Sequence, residues 1–353
     1  MPIRKIKIFV WATSAVIIVI AAAIFVQWNT YTPSDFMQKK IKSGNLSVDY
    51  SIDQALLDVD RLSLNAVNVP VMILVDNLDA STMKVDQGSL QKAKAVIKKL
   101  KKRKIAVILE PYPWIAAGEK YETDWNPSDV NRFFDNWTHM VLKELIDKVA
   151  VPERVDVLMM ASNLRYLEPY DEQWVKTADE VRKHYQGFLT YKTNWWFTAE
   201  GDESSKREYR YKLNSQFLSM MDYISIGSYF ELSDQPVNTV EQLKEALYAS
   251  KVYNRRQPIV EEIEQLHQRW NKPIFLGELG FPKRNYAAKH PWNPSPSDVY
   301  NGEEQARGFE AYRQVFTQDW FLGFSVFAIG ETGDDKHYYP SEESAAVIKK
   351  WFK

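Results

Sequence analysis

From about residue 46 onward, short apolar runs rich in β-branched and aromatic residues alternate with longer segments whose apolar residues recur at helical spacing. This is the pattern of parallel strands joined by crossover helices. It predicts strands at residues 46–49, 67–75, 105–110, 155–161, 188–194, 223–229, 273–278 and 322–329, the first on the weakest pattern. Eight such units close a barrel, so the expected fold is a single (β/α)8 TIM barrel over residues 46–353. The intervening helices carry their own punctuation. Asn126-Pro127-Ser128-Asp129 supplies a cap, a first-turn proline and an early acid, and Val130, Phe133, Trp137 and Val141 follow on one face. In the basic run at residues 91–104, Ala93, Val96, Ile97 and Leu100 form an inner face and the lysines an outer one. That is a solvated helix surface rather than a polyanion-binding patch.

The N-terminus departs from this pattern. Arg4, Lys5 and Lys7 precede an uncharged, mostly apolar run over residues 8–26, which at about 1.5 Å per residue spans most of a bilayer core. Residues 1–30 are therefore expected to be a cytoplasmic end plus transmembrane anchor, and residues 31–45 a juxtamembrane linker. A cleaved signal peptide is the rival, with Ala21-Ala22-Ala23 as its small residues, but the run exceeds the roughly 7–15 residues of such a segment. Three basic residues before the span orient the barrel to the extracytoplasmic side, although Lys39, Lys40 and Lys42 follow it. The expected location is the cell membrane, single-pass.

Composition then narrows the chemistry. The 45 Lys and Arg nearly balance the 46 Asp and Glu, giving a net charge of −1, so no overall field draws nucleic acid. With no cysteine, disulfides, thiolate metal sites and a cysteine nucleophile are excluded. His184 and His290 lack a second ligand at metal spacing, so neither metal nor cofactor is expected. The 12 Trp, 19 Tyr and 17 Phe suit a sugar-binding cleft as well as a core.

In a barrel of this class the reactive groups sit at the C-terminal ends of the strands. Here those ends read Glu110-Pro111-Tyr112-Pro113-Trp114, Ser162-Asn163-Leu164, Thr193-Asn194-Trp195-Trp196, Gly227-Ser228-Tyr229-Phe230-Glu231 and Gly277-Glu278-Leu279-Gly280. Polar and aromatic groups on five neighbouring ends point to a carbohydrate cleft. Glu278 stands out, because an otherwise apolar strand delivers this one carboxylate between glycines.

The segments PIFLGELGFPKRNYAAKHPWN, NGEEQARGFEAYRQVF and WFLGFSVF resemble the last two units of glycoside hydrolase family 113, retaining β-mannanases built on a TIM barrel. GFLTYKTNWW, YFEL and YDEQWVKTADEVRKHYQG are similar to its earlier units, so the resemblance covers most of residues 50–353. It implies two catalytic glutamates, a nucleophile ending strand seven and an acid/base ending strand four. Glu278 matches the nucleophile. Asn163 aligns with the acid/base, and one register on stands Leu164, so neither supplies a proton. Glu168, Glu110, Glu231 and Glu331 are the carboxylates considered as substitutes. The resemblance further implies that Trp195 or Trp196 stacks on a pyranose, Asn194 bonds its hydroxyls and Tyr229 orients Glu278. Glu110, Trp114 and Trp292 are added as candidate substrate contacts, and the strand-eight ending Phe327-Ala328-Ile329-Gly330 lacks the tryptophan of the family. Two functions follow: a membrane-anchored retaining glycosidase acting on a cell-envelope or extracellular polysaccharide, or a degenerate barrel that only binds such a polymer.

Overall fold

A computed structural model describes residues 35–333 and 336–352. Its strands are β1 (Ile41–Leu46), β2 (Ala66–Val75), β3 (Lys84–Val85), β4 (Ala106–Ile115), β5 (Val157–Ser162), β6 (Phe188–Thr193), β7 (Tyr223–Gly227), β8 (Ile274–Leu279) and β9 (Phe321–Ile329). They form one sheet in the order β1-β9-β8-β7-β6-β5-β4-β2-β3. The parallel pairing of β1 with β2 closes it into an eight-stranded barrel, and β3 adds to β2 from outside, antiparallel. Helices separate the strands as the apolar periodicity predicts. Gln87–Lys102 buries Leu90, Ala93, Val96, Ile97 and Leu100. The next helix starts later than its punctuation suggests: Asp129, read as an early acid, is the cap of Val130–Asn136, accepting from the Arg132 amide at 3.0 Å, and Asn126 and Pro127 lie ahead of the helix.

Two elements differ from the expectation. The first strand is Ile41–Leu46 rather than 46–49, and it lies in the segment read as linker. Its sequence, IKSGNL, has no apolar run, yet all six residues are buried. The polar side chains find partners inside the fold. Lys42 donates to the carbonyls of Ile348, Lys349 and Trp351, at the end of helix Glu342–Lys350, satisfying acceptors that a helix C-terminus leaves free. Asn45 donates to the Gly277 carbonyl at 3.1 Å. Gly44 admits Ile329, whose Cδ1 would lie 2.5 Å from an added Cβ. The second difference is β4, which runs on through Pro111 and Pro113 to Ile115. Its ladder to β5 ends at Leu109 while that to β2 continues to Ile115, so both prolines lie on an edge, where they are tolerated. Glu110 is thereby mid-strand and buried, not a strand end.

At the opposite end of the barrel, Phe36 packs on Phe188 and Tyr223, with ring centroids 5.8 and 6.4 Å away, and closes the N-terminal mouth of the strands. The apolar run at residues 8–26 lies outside the described residues. Among the described residues no helix is long and apolar enough to cross a membrane.

Candidate active site

Glu278 arrives near the end of β8 with three donors around its carboxylate. Tyr229, just past β7, donates its phenol to Oε1 at 2.7 Å. Lys192 on β6 donates to Oε2 at 2.6 Å, and Asn163 Nδ2 reaches the same oxygen at 3.4 Å. A side chain at position 277 would overlap Ser225 and crowd the Lys192 stem, so Gly277 is what lets the lysine pass. Lys192 also pairs with Glu110 at 2.8 Å. Glu110 accepts from Asn68 at 3.5 Å, and Asn68 from Ser43 at 3.1 Å. A polar column thus crosses the barrel interior from β1 to β8 beneath the rim. Burial works against the Lys192 charge, but the Glu110 and Glu278 carboxylates outweigh it and hold the ammonium above its ordinary pKa. Burial, then the Glu278 charge, keep the Tyr229 phenol protonated well beyond its usual range.

Asn163 follows β5 with φ 56°, the left-handed region that asparagine tolerates. Gly227 leaves room for its amide, since an added Cβ would stand 3.0 Å from Oδ1. Asn163 Nδ2 donates to Glu278 and also, at 3.0 Å, to Oε1 of Glu122. Glu122 opens a short 3-10 turn, Glu122–Asp124, in the loop that follows β4. Loss of water around its carboxyl, then repulsion from Glu278, push Glu122 up to about 7, against the Asn163 hydrogen bond and the Lys192 charge. This residue escaped the sequence reading: it stands in a polar loop, outside any strand end or periodic segment.

The other candidates divide. Trp195 is half-buried, edge-on to Tyr229 at 5.3 Å, and lines an open hollow of about 630 Å³ with Asn194, Arg165, Arg255 and Trp292. Trp292 is 47% exposed, so its indole is free to meet a ligand. Asn194 is buried, its amide N–H donating to Glu168 and its Oδ1 without a partner. Trp196 does not serve as a sugar platform. Its indole is buried against Tyr209 and donates to Glu262 at 2.9 Å. Trp114 is half-buried and packs against the turn at Gly118. On the other flank, Phe327 and Tyr338 stand edge-on to Tyr229 at 6.2 and 6.3 Å and line a second hollow of about 480 Å³. Phe327 thus supplies an aromatic surface at the end of β9.

None of the carboxylates considered as a substitute acid is free to act beside Glu278. Glu168 is buried in an ion pair with Lys212 and accepts from Thr193. Arg255 holds Glu231, Lys336 holds Glu331, and Glu110 meets Glu278 only through Lys192. Among the described residues, no group of three or more His, Asp or Glu side chains is arranged to hold a metal ion.

The sequence model of glycoside hydrolase family 113 matches residues 43–347. A GH113 β-1,4-mannanase solved as a complex is 19% identical, with 89% of this chain and 98% of that one covered and a TM-score of 0.66. The GH113 β-mannanase AaManA from Alicyclobacillus acidocaldarius, bound to ManMIm, is 16% identical over 90% of this chain and 98% of that one, TM-score 0.69. A β-glucuronidase from Ruminococcus gnavus shares the barrel at 12% identity, TM-score 0.52, over 89% of this chain and 49% of its own. No curated protein matches the chain.

Proposed function

Because the chain belongs to glycoside hydrolase family 113, we propose that it is a retaining glycosidase acting on β-linked, mannan-like polysaccharide, with Glu278 as nucleophile. The observation that carries this reading is the Glu278 carboxylate itself. It stands near the end of a barrel strand and is oriented by Tyr229, Lys192 and Asn163, and Tyr229 is itself met edge-on by Trp195, Phe327 and Tyr338. In the retaining reaction one Glu278 oxygen attacks the anomeric carbon as the bond to the glycosidic oxygen breaks, and the leaving oxygen takes up a proton. Water then attacks the same carbon, releasing the carboxylate and giving up a proton. Lys192, shared with Glu110, keeps a counter-charge when Glu278 is esterified and its own charge disappears. Tyr229 fixes which Glu278 oxygen faces the sugar. Trp195 and Trp292 on one flank, and Phe327 and Tyr338 on the other, offer apolar faces to successive pyranose rings.

The test is covalent trapping. An activated 2-deoxy-2-fluoro-β-mannoside should add one sugar mass to the peptide containing Glu278, and Glu278→Gln should abolish turnover while keeping oligosaccharide binding. A protein that binds mannooligosaccharides but neither turns them over nor traps the fluorosugar is instead the degenerate, purely binding barrel, a reading favoured by Asn163 in place of the acid/base glutamate.

A further inference from the structure

The retaining reaction needs a second carboxyl group, and β5 offers only Asn163. Three observations locate a replacement in the loop after a different strand. First, Glu122 Oε1 and Glu278 Oε2 accept from the same nitrogen, Asn163 Nδ2, at 3.0 and 3.4 Å. The two oxygens are therefore no farther apart than those two bonds laid end to end. That bound accommodates the about 5–5.5 Å of retaining pairs. Second, the Asn163 amide faces the two carboxylates with its only donor group, because turning the amide would set Oδ1 against both. The asparagine at the acid/base position thus works as a spacer that holds a carboxyl arriving from elsewhere. Third, the Glu122 loop is pinned. Three residues on, Trp125 is fully buried, donates to the Ala80 carbonyl at 2.9 Å and packs edge-on to Phe133 at 5.0 Å, and the Asn126 amide donates to Leu78 at 2.8 Å. Before the turn, Lys120 bridges back to Ile115.

We propose that Glu122, delivered by the loop after β4, is the general acid/base of this enzyme, standing in for the glutamate that β5 lacks; the assignment rests on the glycosidase reading above. In the first step the Glu122 carboxyl gives its proton to the glycosidic oxygen as that oxygen takes the electron pair of its bond to the anomeric carbon, while Glu278 forms the ester. In the second, the Glu122 carboxylate takes a proton from water as the water oxygen bonds to the anomeric carbon and the ester pair returns to Glu278. Glu122 ends protonated and no other reactant is needed. The groups facing it suit this cycle. Glu278 from β8 opposes its ionisation, whereas Lys192 from β6 and the Asn163 amide favour it. Burial above all, with carboxylate charges including that of Glu122 added, keeps the phenols of Tyr112 on β4 and Tyr229 just past β7 protonated. Once Glu278 is esterified, the largest opposing charge is gone and Glu122 ionises more easily, as the base of the second step must.

Two substrates on four proteins test this. Wild type, Glu122→Gln, Glu122→Ala and Glu278→Gln are assayed on mannooligosaccharides and on 2,4-dinitrophenyl β-mannoside, whose leaving group needs no proton. Glu122→Gln should lose about 10²- to 10⁴-fold in kcat/KM on the oligosaccharides and less than about tenfold on the activated mannoside. The fall of wild-type kcat/KM on the alkaline side, near pH 7, should vanish in Glu122→Gln. With the activated mannoside, azide should restore turnover to Glu122→Ala and yield the β-mannosyl azide, a rescue that also shows the variant is folded. The assignment is overturned if Glu122→Gln keeps wild-type rates and the same pH profile on oligosaccharides while Glu278→Gln is inactive; the glycosidase reading then stands without it. If wild type turns over neither substrate, both fall together.

Discussion

The Asn163 amide holds Glu122 and Glu278 together, and the repulsion this imposes is visible in stability as well as in rate. Glu122 is raised to about 7 in the folded chain by loss of water and by Glu278, against about 4.3 when unfolded. A carboxyl whose folded pKa is raised binds its proton more tightly when folded. Its favourable contribution is complete below about pH 4.3 and is lost as pH rises through about 7. Glu122→Gln should therefore match wild type near pH 4 and be more stable by about 1–3 kcal/mol at pH 8, read as melting temperature against pH. Curves that stay parallel would contradict it. Single residues also mark where the sequence was readable. Glu278 was legible because an apolar strand flanked by glycines delivers it, whereas Glu122 lies in Tyr121-Glu122-Thr123-Asp124, a polar turn with nothing to separate it from any solvated loop. Trp195 and Trp196 are indistinguishable as letters, yet consecutive residues of an extended chain face opposite sides. Trp195→Ala should weaken oligosaccharide binding up to about tenfold, in line with the about 0.5–1.5 kcal/mol of one aromatic contact, with an unchanged melting temperature. Trp196→Ala should cost about 3–5 kcal/mol of stability, because it empties a buried site and strips Glu262 of a donor.

Among the elements, seven of the eight barrel strands follow from apolar runs, and the eighth, β1, does not, for a physical reason. A strand inside a barrel needs burial, but burial can be satisfied by polar side chains that bond to other strands and helix ends, as Lys42, Ser43 and Asn45 do. Hydropathy patterns cannot register such a strand. The same principle operates in β6, where Lys192 was only a letter within the segment GFLTYKTNWW and is in fact buried between Glu110 and Glu278, with its side chain 3% exposed. Removing one partner from a buried charge cluster is far more costly than never having built it. Lys192→Met should therefore destabilise the barrel by about 3–5 kcal/mol in denaturant titration, and Glu110→Gln in the same chain should recover part of that loss. Additive penalties in that double-mutant cycle would mean that the two side chains are not coupled.

At the scale of the whole molecule, the position of Phe36 ties the site to the proposed membrane location. Phe36 closes the end of the barrel opposite Glu278, and eight residues, 27–34, separate the described chain from the apolar run at 8–26. Fully extended, eight residues reach about 28 Å. If residues 8–26 are an anchor, a tether of that length would keep the N-terminal mouth, rather than the Glu278 end, nearer the bilayer. Two chains test the arrangement. The full chain should sediment with membranes and resist salt extraction, while a chain beginning at Thr32 should remain in solution with an unchanged melting temperature and full activity. A chain beginning at Lys39 loses Phe36, exposes the apolar mouth and should be less stable by about 3–5 kcal/mol, the cost of emptying a buried aromatic site. A shortened chain recovered in the medium with its N-terminus near Ile24 would identify the apolar run as a cleaved signal. The rim would then be free of the bilayer, and the catalytic assignments, which rest on residues at the other end of the barrel, would be untouched.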